Sequence, residues 1–208
     1  MKRLKWIGLP FILLLGLTLI WMPPERHLGR LLTLIYLHGA LIRTGALLFS
    51  LGGVIALVAL ATRDKRTWEW MYAFQVTAWG TWVLGFLLSI YPSFVTWGAP
   101  VVWGEPRTRM VLQVALVSGL LFLVGWWLGA RAWSAVMSLV VGGLVPLLVW
   151  RTGVIRHPLN PIGTSPSTTF RLAYAIVLFS IVVLAGVVTA WVQAWLGQTP
   201  VVEDEEGM

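Results

Sequence analysis

His27, His38 and His157 are the only imidazoles in a chain of 208 residues that has no cysteine. A neutral imidazole nitrogen can bind haem iron axially, and two histidines can hold the iron from both faces. The absence of cysteine excludes a covalently attached c-type haem, thiolate metal sites, disulfides and thiol–disulfide chemistry by this chain. Porphyrin is a broad apolar plate with two propionates. It favours aromatic rings against its faces and arginines beside its carboxylates. The segment TWGAPVVWGEPRTRM, residues 96–110, offers Trp97, Trp103, Glu105, Arg107 and Arg109 between the segments that carry His38 and His157. These residues could form a platform for a flat anionic ligand. They also fit a plainer role: interfacial histidines are solvated, tryptophans gather at membrane interfaces, and Glu105 and Arg107 can pair in a solvated loop.

The elements that position them are hydrophobic. The composition is 58% hydrophobic and 11% charged, against about 25% charged residues in soluble domains. Long apolar runs recur from end to end, which makes the chain an integral membrane protein. Six spans can be drawn: Trp6–Met22, Leu31–Ala61, Trp68–Ser93, Met110–Leu128, Trp133–Trp150 and Phe170–Leu196. The second is about 46 Å long as a helix, so it must tilt or project. The start, MKRLKWIGLPFILLLGLTLIW, is read as a retained first span with some signal-anchor character.

Six spans put both termini on one side. All three lysines then share that side with Arg3, Arg63, Arg66 and Arg131, and the positive-inside rule makes it the cytoplasm. The outer loops are 23–30, 94–109 and 151–169, which gathers His27, His38 and His157 at the outer face. The predicted fold is all-α: a single six-helix transmembrane domain over 1–198, followed by an acidic tail over 199–208. That tail holds four of the eight acidic residues. The net charge of +7 then reflects topology and an anionic partner or lipid surface, not nucleic acid. Arg43 lies inside the second span, where an arginine must snorkel, pair or face a polar cavity. On an ideal helix it is about 140° around from His38. No phosphate-binding loop, zinc spacing or paired-carboxylate site is visible.

Three stretches together resemble the cytochrome c assembly membrane proteins, specifically the haem-handling C subunit (CcmC type). IYLH around His38 is similar to that family's Tyr/Phe-x-His. WGAPVVWGEPR resembles its tryptophan-rich outer loop, with Val101 at the middle tryptophan and Gly104 at the aspartate. GGLVPLLVWRTGVIRHP, with Pro146 and Trp150 leading to His157 and Pro158, resembles its fifth span and the His-Pro that follows. The resemblance implies non-covalent, transient haem b with His38 and His157 as axial ligands. Trp97, Trp103 and Glu105 would line it, with Arg107 and Arg43 nearby. It implies a haem handler without a catalytic reaction of its own, in a bacterial inner membrane. Its partners would be a periplasmic haem chaperone, ABC-transporter subunits and other membrane subunits of the maturation system. Two other classes remain open: a non-haem structural subunit of an assembly complex, and a small-solute permease using Arg43 with Gln75 and Thr77.

Overall fold

The computed structural model describes residues 2–155, 162 and 165–198. Six helices carry these residues: α1 (Lys2–Trp21), α2 (Leu31–Thr62), α3 (Lys65–Trp97), α4 (Pro106–Trp127), α5 (Arg131–Arg151) and α6 (Thr168–Leu196). Among the described residues the only β pairing is an isolated bridge between Glu25 and Gly29. Five helices, α2 to α6, are long and apolar enough to cross a bilayer. The apolar stretch of α1, Trp6–Trp21, is shorter. The chain is therefore a multi-pass helical membrane protein, as its composition requires. The proposed tail, 199–208, lies outside the described residues.

Local chemistry sets the helix ends. Asp64 caps α3 by accepting from the Thr67 N–H at 3.1 Å, and Ser167 caps α6 by accepting from the Phe170 N–H at 3.4 Å. Gly98 stops α3 with a left-handed φ of 75°, a conformation glycine adopts without a Cβ penalty. Pro106 opens α4, where its missing N–H costs no helical bond.

Helix α2 is the centre of the bundle and packs on α3, α5 and α6; α1 packs on α6, and α4 on α5 and α3. Lipid tails are as apolar as leucine, so close packing of small residues drives this association. At the α2–α5 crossing Gly53 faces Gly142. A Cβ on Gly142 would lie 2.6 Å from the Phe49 carbonyl oxygen and 3.0 Å from Gly53 Cα. The α3–α4 contact is tied by indoles: Trp82 Nε1 donates to the Val111 carbonyl at 2.9 Å, and Trp79 Nε1 to that of Ala115 at 2.8 Å. Edge-to-face pairs join Tyr36 to Tyr174 at 5.2 Å and Phe11 to Phe179 at 5.8 Å.

These pairings make sequential helices antiparallel and collect the connections after α1, α3 and α5 at one end. We call it the outer end. The turns at Arg63–Asp64 and Leu128–Ala130 lie at the other, with Gln193 donating to Glu69 at 2.9 Å. The outer end is stepped. From the Phe49–Gly142 level, α2 continues eighteen residues to Leu31 and α5 only nine to Arg151. From the Trp82–Val111 level, α3 continues fifteen residues to Trp97 and α4 only five to Pro106. At 1.5 Å per residue, α2 and α3 rise about 13–15 Å above the ends of α4 and α5. The loop 98–105 descends this step.

Candidate functional site

His38 lies half-buried on α2, with its Nδ1 2.8 Å from the Gly85 carbonyl oxygen of α3. A carbonyl oxygen only accepts, so Nδ1 carries a proton, and in the neutral ring the in-plane lone pair is then on Nε2. Glycine at position 85 permits this approach. A Cβ there would sit 3.0 Å from Ile42 Cδ1 and 3.1 Å from Leu41 Cβ. Histidines that ligate a metal through one nitrogen usually donate the other N–H to a carbonyl or carboxylate, which fixes the ring and raises ligand basicity. His38 thus has the tautomer and the support that an axial haem ligand needs. Its expected partner, His157, lies outside the described residues. Among the described residues no group of three or more His, Cys, Asp or Glu could hold a bare metal ion.

Deeper along α2, Arg43 lays its guanidinium over the Tyr174 ring, 5.3 Å from the centroid. This cation–π contact steadies an arginine at membrane depth. Arg43 is also within electrostatic reach of Arg107.

Glu105 and Arg107 are not a solvated loop pair, as one reading of the sequence held. Glu105 is 2% exposed, and both of its carboxylate oxygens accept from the Ile155 N–H at 3.2 Å. Arg107 is half-buried and donates through Nη2 to the carbonyls of Val149 at 3.1 Å and Thr152 at 3.5 Å. Helix dipoles favour both: a carboxylate at the N-cap of α4, and a cation at the C-terminal carbonyls of α5. The Arg107 Nε is enclosed and makes no hydrogen bond among the described residues.

The two tryptophans of the segment part company. Trp97 is the last residue of α3 and half-buried, whereas Trp103 is 62% exposed. Val102, between them in the chain, is the loop's buried apolar anchor. His27 lies in the first outer loop, where its backbone N–H donates to Glu25 Oε2 at 2.8 Å and that of Leu28 at 2.7 Å. These two bonds hold the Glu25 carboxyl below its ordinary pKa.

Gln75 and Thr77, the midplane groups of the permease reading, are both buried. Gln75 Nε2 donates to the Ser134 carbonyl at 3.0 Å and to the Ser138 hydroxyl, which ties α3 to α5. A recess of about 400 Å³ is lined by Leu123, Val124, Trp126 and Trp127. It lies at the inner end of α4, opposite His38, and carries no charged side chain. Sequence reasoning did not find Gly85, Tyr174 or Ile155. Tyr36, two residues before His38 in IYLH, was the one available signal: its hydroxyl donates to the Phe170 carbonyl at 3.1 Å and its ring meets Tyr174.

No protein-family model matches the chain, and no curated protein matches it.

Proposed function

We propose that the chain binds haem b non-covalently at its outer end and presents it to a periplasmic haem chaperone during cytochrome c maturation. His38, through Nε2, and His157 would hold the haem iron. The observation that carries this reading is the His38 Nδ1–Gly85 carbonyl bond, which leaves the lone pair on the ligating nitrogen. Arg43 and Arg107, within electrostatic reach of each other, supply positive charge suited to propionates. On this reading the membrane is a bacterial inner membrane, the outer end faces the periplasm, and the chain performs no reaction of its own. ABC-transporter and other membrane subunits of the maturation system are the further partners, as the resemblance of IYLH and WGAPVVWGEPR implies.

The test is hemin titration of the detergent-purified protein, read by oxidised and dithionite-reduced absorption spectra beside His38→Ala and His157→Ala. A saturable Soret shift with sharp reduced α and β bands, lost in either variant, supports the proposal. A wild-type protein that takes up no hemin overturns it and leaves the structural-subunit reading in its place.

A further inference from the structure

Glu105 and Arg107, at the start of α4, do not reach outward toward solvent, although Arg109 is exposed. They reach across to the end of α5. Arg107 caps two carbonyls there, Val149 and Thr152. Glu105 takes an N–H three residues further along the departing chain, that of Ile155. Residues 149 to 155 are thus held at three backbone points by side chains only two positions apart on α4. The contacts are charge-assisted and one partner is buried, so they outweigh ordinary surface bonds. Both are also favoured by the helix termini beside them.

We propose that Glu105 and Arg107 form a clamp that positions the chain leaving α5, a role Arg107 fills through Nη2 beside the charge it offers a propionate. The proposal rests on the haem reading for its functional half. Ile155 is two residues before His157, and two residues of chain reach at most about 7 Å. On the haem reading, holding the Ile155 amide would limit how far His157 can stray from Glu105. It also explains the spacing in WGEPR. Glu105 must precede the first turn of α4 to meet Ile155, and Arg107 must lie within that turn to meet the α5 terminus.

The experiment compares full-length wild type, Glu105→Ala, Glu105→Gln and Arg107→Gln in detergent, with two readouts. The first needs no haem: amide hydrogen exchange at Ile155. Loss of a hydrogen bond to a buried carboxylate should speed its exchange by about tenfold or more in Glu105→Ala. Glu105→Gln, which keeps an acceptor oxygen, should recover most of the protection. The second readout is the spin state of the hemin adduct. Glu105→Ala and Arg107→Gln should shift it from six-coordinate low-spin toward five-coordinate high-spin, while His38 still holds the iron. Helix content and elution volume show whether each variant is folded, and Arg107→Gln, with its expected spin-state shift, carries the test should Glu105→Ala fail to fold.

Unchanged Ile155 exchange in a folded Glu105→Ala protein would overturn the clamp, as would a hemin spectrum identical to wild type. A wild type that binds no hemin sinks the haem reading, and the exchange measurement then decides the clamp by itself.

Discussion

Replacing Gly142 by alanine tests the close approach of α5 to the backbone of α2. The new Cβ would lie 2.6 Å from the Phe49 carbonyl oxygen, 3.0 Å from Gly53 Cα and 3.2 Å from Gly53 N. All three are backbone atoms, so no side chain can swing aside. Ordinary contact begins at 3.4 Å, so α2 and α5 must separate by roughly 0.5–1 Å, a gap that forfeits about a quarter to a half of each van der Waals contact it opens. The expected cost is about 1–3 kcal/mol, the usual penalty of overpacking. Gly143 is the control. A Cβ there meets nothing within 4 Å, and alanine's helix propensity should make that variant neutral or up to about 1 kcal/mol more stable. Reversible unfolding in mixed micelles, followed by tryptophan fluorescence, measures both. Equal stability of the two variants would refute the α2–α5 crossing at Gly53 and Gly142.

Other parts of the fold make separate predictions. Asp64→Ala removes the cap on the Thr67 N–H and hydroxyl and should cost about 1 kcal/mol in the same unfolding assay, with Asp64→Asn retaining most of it. Trp82→Phe deletes the indole bond to Val111 inside a fully buried site; the lost bond and the cavity together should cost about 2 kcal/mol. The Glu25 carboxyl has a lowered folded pKa, so its contribution is present above the ordinary value of 4.5 and is lost as pH falls through the folded value. Amide exchange at His27 and Leu28 should therefore stay slow down through pH 4.5 and quicken only below it, whereas Glu25→Gln should show no such pH step.

The fold was legible because its signal is composition over long windows. Apolar runs broken by MPPERHLGR, RDKR, GEPRTR, GAR and RTGVIRHPLNPIGTSPS fix six helices and their order. The ends were less legible, since capping is local chemistry. A reading by apolar content stops the third segment at Ser93. The helix runs on to Trp97 because Gly98, not Pro92, supplies the left-handed stop. It likewise begins the fourth segment at Met110, whereas α4 starts at Pro106 and takes in the charged turn that clamps α5. At the site, residue types were readable but partners were not. Gly85 is 47 positions from His38, Val149 is 42 from Arg107 and Ile155 is 50 from Glu105. No periodicity or motif links residues so far apart; helix packing brings them together. Hence Glu105 and Arg107 were recognised as special and given the wrong surroundings.

The measurement that tests the central claim most directly is the electron paramagnetic resonance spectrum of the ferric hemin adduct, wild type beside His38→Ala. The account predicts a low-spin signal of two axial imidazoles in the wild type, converted to high-spin or lost when His38 is removed. A wild-type protein that forms no adduct, or a signal indifferent to His38, would contradict it.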